Sequence, residues 1–268
     1  MAAQPVLFVS HGSPMLALAP DTEPYGVGLK QVAARLGELP KAVLVVSAHW
    51  QAEGPTITSS AHPGVLYDFS GFPDALSALE YPAPGAPALA ARFGGRLQAA
   101  GWHPVLDPLR PLDHGAWAVL RHLFPAAQVP VVQVSLPAAE PRALKTLGAA
   151  LRPFREEGIL ILASGGLIHN LRAVDFSSSD PQGEPWAVAA ETWFLERLAS
   201  AAWEDLFQHR ERWPASHQAA PTTEHLDPLF VAAGAAHPHE PPETLFAGWQ
   251  LGNLSLRCLG WGVPGPVD

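Results

Sequence analysis

The chain has one cysteine, Cys258, in 268 residues. No internal disulfide can form, and a reducing compartment is the expectation. Basic residues are scarce: 16 Lys and Arg stand against 25 Asp and Glu, for a formal net charge of −9. No basic stripe or cluster occurs, so nucleic acid and anionic membrane surfaces lack their main driving force for binding. No apolar run approaches the roughly 20 residues that span a bilayer. Met1 to Pro5 carries no positive charge, and the apolar stretch after it breaks at His11 and Gly12, so no signal peptide is expected. These features together lead to the expectation of a soluble, cytoplasmic protein.

Several catalytic frameworks are also missing. There is no G-x-S-x-G elbow, no H-E-x-x-H and no C-x-x-C pair. Ser164-Gly165-Gly166 resembles a phosphate-cradling turn but lacks the G-x-G-x-x-G spacing and a Walker lysine. Cys258 sits in a late apolar run and reads as an inert buried thiol. Cysteine-rich zinc is excluded, which leaves nitrogen, or nitrogen plus carboxylate, for any metal.

What the chain does have is apolar bulk, 48% of residues, enough for a sizeable core. Its 29 prolines are scattered rather than periodic. Short β-branched and Leu-rich runs read as strands buried on both faces: Val6 to Val9, Ala42 to Val46, Val129 to Leu136 and Ile159 to Ala163. Leu254 to Leu259 alternates and reads as a late strand with one wetter face. Ala- and Leu-rich segments between them read as helices: Gly26 to Leu36, Pro87 to Ala100, Pro141 to Arg152 and Pro185 to Ser200. Gln51 to Pro84 and Asp175 to Pro185 read as loops. The alternation predicts one α/β domain over residues 1–268, with a mostly parallel central sheet flanked by helices.

Five of the 12 histidines fall where such a sheet delivers side chains to one rim. His11 follows the first strand in Ser10-His11-Gly12-Ser13-Pro14, and His49 follows the second in Ser47-Ala48-His49-Trp50. His169 follows a third across the Ser164-Gly165-Gly166 turn, near the expected start of a helix, and the glycine pair lets backbone approach a ligand. His114 lies in Asp113-His114-Gly115, where the adjacent aspartate is a candidate partner for its ring. His225 follows Pro221-Thr222-Thr223-Glu224, a helix-start signal with Thr222 or Thr223 as N-cap. In open α/β sheets ligands bind beyond the carboxyl ends of the strands, and histidine is the commonest metal ligand. A metal centre is therefore the first expectation. His62, His103, His122, His209, His217, His237 and His239 read mostly as surface residues. Trp50, Phe69, Phe72 and Trp117 lie beside the motifs and suit either a ring-stacking wall or the core.

In this order, and over essentially the whole chain, the five motifs resemble the class III extradiol ring-cleavage dioxygenases, in the branch of 4,5-DOPA dioxygenase extradiol. Tyr67-Asp68-Phe69-Ser70-Gly71-Phe72-Pro73 and Tyr81-Pro82-Ala83-Pro84-Gly85 support the likeness. The resemblance implies an α/β fold with one mononuclear divalent metal at the strand ends: Fe(II) for ring cleavage, or Zn(II) in the resting protein. It implies His11, His49, His169 and His225 as metal ligands, and His114 and His169 as acid–base residues, His169 being a ligand in this branch and an acid–base residue in the protocatechuate branch. Much of the wider superfamily completes its iron site with a glutamate. Here Glu224 stands beside His225, so the ligand set stays open between all-histidine and mixed. Four inner histidines would crowd a catechol and O₂, so His169 is expected to sit farther out or to move. The implied substrates are a catechol such as DOPA and O₂, with no nucleic acid and no membrane partner. Oligomeric state leaves no sequence motif. Two other readings use the same residues: a zinc-dependent hydrolase, whose ion lowers the pKa of bound water toward about 7, and a non-enzymatic metal-binding protein on the same fold.

Overall fold

A computed structural model describes residues 3–20, 22–178 and 181–265. Its centre is an eight-stranded sheet in the order β4-β3-β5-β2-β6-β1-β10-β7. The strands are β1 (Val6–Ser10), β2 (Ala42–Ala52), β3 (Thr56–Thr58), β4 (Val105–Asp107), β5 (Val131–Pro137), β6 (Ile159–Gly165), β7 (Glu243–Phe246) and β10 (Cys258–Trp261). β8 (Trp249–Gln250) and β9 (Leu254–Ser255) form a separate two-stranded piece. The middle of the sheet, β5-β2-β6-β1, is parallel. β10 and β7 continue it antiparallel on one side. On the other side β3 runs antiparallel to β5 and parallel to β4. The sheet is thus mostly parallel, as the buried β-branched runs require, because helices must cover both faces.

Two hydrophobic layers provide that cover. Phe8, Leu44, Val46, Val134 and Ile161 face one layer, with the helices Pro87–Ala99, Pro141–Leu151, Pro185–Ala199 and Asp227–Ala235. Leu7, Val9, Val43, Val45, Leu160 and Leu162 face the other, with the helices Pro24–Leu36 and His114–Leu123. Alternate residues of one strand go to opposite layers, as the pleat dictates.

The structure departs from the sequence reading in several places. β2 does not end at Val46 but runs on to Ala52, so His49 lies within the strand. It sits where the register with β5 shifts between Val46 and Gln51, and that irregularity re-aims side chains at the rim. The stretch Gln51 to Pro84 holds β3 and the short helix Asp74–Ser77 as well as loops. The expected strand Leu254 to Leu259 is broken into β9 and β10. His114 opens a helix, which the sequence reading had not placed. His169 lies in an irregular segment rather than near a helix start; the next helix begins at Pro185. The helix after His225 begins at Asp227 with Leu226 at its N-cap, so Thr222 and Thr223 are not the cap. Of the loop Asp175 to Pro185, residues 179 and 180 lie outside the described residues. Among the described residues no helix is long and apolar enough to cross a membrane.

Candidate metal centre

The carboxyl ends of β1, β2 and β6 deliver the first histidines. His11 follows β1, its backbone N–H donating to the Gly165 carbonyl at the end of β6 (3.1 Å). A Cβ at Gly165 would overlap the carbonyl of His225, whose oxygen accepts from Gly166 N–H at 2.8 Å. Gly165 therefore admits the His225 backbone to the rim. His114 is the first residue of the helix His114–Leu123. Asp113 caps that helix, accepting from the Ala116 N–H at 3.1 Å.

The rings converge. His11 and His49 bring Nε2 within 3.0 Å of Nε2. The ring centroid of His114 is 4.0 Å from that of His49 and 5.5 Å from that of His11. His225 lies 5.2 Å from His11 and 5.1 Å from His49, and His169 stacks on His225 at 3.6 Å, nearly parallel. His11, His49 and His114 each offer a nitrogen within 4.8 Å of the others, a set that can hold a metal ion. His169 makes its ring contact with His225.

Partners outside the cluster fix which nitrogen faces in. Ser164 Oγ donates its one hydrogen to the Gly115 carbonyl (2.6 Å), so at 3.0 Å it accepts from His11 Nδ1–H. That leaves the Nε2 lone pair of His11 toward His49. His114 Nδ1 meets Asp68 Oδ1 at 2.9 Å, and the same oxygen accepts the His114 backbone N–H at 3.0 Å. Asp68 Oδ2 is buried without a hydrogen-bond partner, 3.7 Å from His49 Nδ1. His225 Nδ1 meets Glu224 Oε1 at 3.0 Å, which also accepts from Thr222 Oγ1 at 2.8 Å. A hydrogen bond from the outer nitrogen to an oxygen is the usual support of a metal-binding imidazole.

Burial and like neighbours disfavour the charged form of three of the rings. Burial, then the neighbouring imidazoles, hold His11 well below the usual histidine range. The same causes bring His49 to about 2 and His169 to about 3. Burial pushes the Asp68 carboxyl up, but its hydrogen bonds and charge interaction with His114 outweigh this, and the net direction is down. Glu224, lowered against its own burial by His225 and Thr222, lies at about 2. Neutral imidazoles and ionised carboxylates are the forms that bind a cation. Two ligands about 2.0–2.1 Å from one ion stand about 2.9–3.4 Å apart at right to tetrahedral angles. The His11–His49 separation of 3.0 Å fits that spacing.

Two sequence expectations change here. Asp113 does not serve the His114 ring; it is fully buried and takes Ser47 Oγ (2.8 Å) and the Gln133 amide. Asp68, in the stretch Tyr67 to Pro73, is the partner instead. It comes from the Gln51 to Pro84 excursion, which passes over the rim. Of the aromatic candidates, Phe69 is 5.7 Å from His114, Trp117 is wholly buried behind Phe69, and Phe72 is exposed. Trp50 is buried under the Arg110 guanidinium, 5.1 Å from its ring centre. Cys258 is buried, with its thiol pushed up to about 12, as an inert thiol should be. His209, expected at the surface, is instead 2% exposed and packed on Phe230.

Comparison with known proteins gives the family. Residues 5–254 match the family described as the catalytic LigB subunit of aromatic ring-opening dioxygenase. A Beta vulgaris protein named 4,5-DOPA dioxygenase extradiol is 36% identical over 251 residues, covering 92% of each chain. An Escherichia coli (strain K12) protein of the same name is 36% identical over 266 residues, covering 96% of this chain and 94% of its own. The crystal structure of an uncharacterized protein from Escherichia coli K12 superposes with a TM-score of 0.82 at 31% identity, covering 97% of this chain and all of that one.

Proposed function

This chain belongs to the family of the catalytic LigB subunit of aromatic ring-opening dioxygenase, and on that premise we propose that it cleaves the ring of a catechol such as DOPA, outside the two hydroxyls, with O₂. The relatives' names support the substrate class. The observation that carries the site assignment is the 3.0 Å approach of two inward-facing Nε2 atoms, His11 and His49.

His11, His49 and His225 would hold one divalent ion, and His169, stacked on His225, would stand outside them and exchange protons or join the ligands as substrate enters. Fe(II) is the metal we assign to turnover, because a redox-active ion is what allows O₂ to react with the ring, and Zn(II) has no accessible redox change. His114 takes the acid–base role. Asp68 holds its Nδ1–H, so its Nε2 is left to accept a catechol proton and return it later. Phe69 supplies an apolar wall beside that ring. We read residues 1–268 as one catalytic domain and place it in the cytoplasm, consistent with its single buried thiol.

The decisive experiment is anaerobic Fe(II) loading followed by air and a panel of catechols. A yellow semialdehyde product is expected; inertness to every catechol would overturn the reading. Two variants separate ligand from acid–base residue. His225→Ala should lose the ion. His114→Ala should keep it and turn over about 10²-fold more slowly or worse. The reverse pattern would make His114 the third ligand, which its position within 4.8 Å of His11 and His49 allows.

A further inference from the structure

A cavity of about 280 Å³ opens at the opposite rim of the sheet from the histidines. Trp261 lines it and pairs with Val6 at the start of β1, whereas His11 follows the end of that strand. The length of β1, on the order of 15 Å, separates the two. Lys145, Arg152, Trp203, His237 and Glu240 line the cavity as well.

The charges in this cavity are not balanced. Lys145 Nζ sits over the Trp203 ring, 4.4 Å from its centre, and has no carboxylate partner among the described residues. Arg152 donates from Nη2 to the Gly234 carbonyl at 2.6 Å, while its Nε is buried without a partner. Glu240 offsets part of the Arg152 charge but is engaged elsewhere. Both its oxygens are taken by Arg155, at 2.7 and 2.8 Å, and one also accepts the His237 N–H. Burial, and then the Arg152 charge, pulls Lys145 below the usual lysine range; burial, and then Arg155, does the same to Arg152. Two partly desolvated cations that repel each other are costly without a counter-ion.

We propose that this cavity binds a small dianionic oxyanion, a phosphate group or a dicarboxylate, between Lys145 and Arg152. The Arg152 bond to Gly234 caps the helix Asp227–Ala235 and uses one of five guanidinium donors, leaving the remaining Nη donors for the anion. Lys145 supplies a mobile point charge from the helix Pro141–Leu151. Trp203 and Trp261 give the non-polar walls that sharpen both interactions.

The test is calorimetric titration of the metal-loaded protein with inorganic phosphate and, separately, with malonate, each at ionic strength held constant with chloride. Saturable binding of at least one anion is expected, and which one binds tells phosphate from carboxylate. Lys145→Gln and Arg152→Gln should each weaken it about 10-fold or more, the size of one charge-assisted hydrogen bond. Lys145→Gln touches no cap and should keep its ring-cleaving activity and circular dichroism, so it stands if Arg152→Gln folds poorly. No saturable heat with either anion would overturn the proposal. So would undiminished affinity in Lys145→Gln, which would place the anion elsewhere, such as at the metal.

Discussion

Ser164→Ala isolates the bond that orients His11, one of the ligands we propose. Ser164 is wholly buried on β6, opposite Val9 of β1 and Ser47 of β2. Its hydroxyl accepts from His11 Nδ1–H at 3.0 Å and donates to the Gly115 carbonyl at 2.6 Å. Alanine removes both bonds, and at 5% exposure His11 has little access to water as a replacement. A buried polar group left unpaired costs about 1–3 kcal/mol. His11 has an escape in the metal-free protein: it can move its proton to Nε2 and donate to His49, 3.0 Å away. That tautomer spends the lone pair an ion needs. Loss should therefore concentrate in metal affinity, by about 10–100-fold as for other groups that orient a ligand, or about 1.4–2.7 kcal/mol. The metal-free protein should lose only the cost of the orphaned Gly115 carbonyl. Titration against a competing chelator measures the first quantity, and urea unfolding after chelation measures the second. Unchanged metal affinity in Ser164→Ala would refute the tautomer argument, whatever happened to stability.

Three further perturbations test neighbouring links. Asp68→Asn keeps the shape of the side chain but removes the charge that faces His114 and His49; the ion should stay bound while kcat falls about 10–100-fold, and full activity would remove Asp68 from the site. In Gly115→Ala the added Cβ would lie 2.5 Å from Ser47 Oγ and 3.2 Å from His49 Cδ2. Overpacking of about 1–3 kcal/mol and weaker metal binding should follow together, and a variant with wild-type unfolding midpoint and affinity would show that the rim yields freely. His209 donates Nδ1–H to the Leu206 carbonyl, leaves Nε2 buried without a partner, and is lowered below 6.5 by burial. The unfolded chain then binds a proton that the folded one refuses, so stability is full above about pH 6.5 and falls as pH drops below it. His209→Phe should flatten that fall in chelator-treated protein by up to about 1.4 kcal/mol per pH unit; equal slopes from pH 7.5 to 5.5 would count against it.

The sheet and the histidine positions were legible because both follow from local rules. A β-branched apolar run of five to seven residues between turn residues suits a strand covered on both faces, and a parallel strand hands its last residues to the rim. His11 and the Ser164-Gly165-Gly166 turn follow from that alone. What stayed hidden depends on contacts across long separations. The irregularity that keeps His49 inside β2 arises from pairing with β5, more than 80 residues on. Asp113 looked like the partner of His114 by adjacency, yet the turn that makes it a good helix cap aims its carboxylate at Ala116, Ser47 and Gln133. The role fell to Asp68, 46 residues earlier, in a stretch whose sequence shows no period because its order comes from the surface it covers. Periodicity reports what an element buries, and adjacency does not report where a side chain points. A carboxylate that steadies a rim histidine should therefore be sought first in the irregular segment that crosses the rim, and only then beside the histidine in sequence.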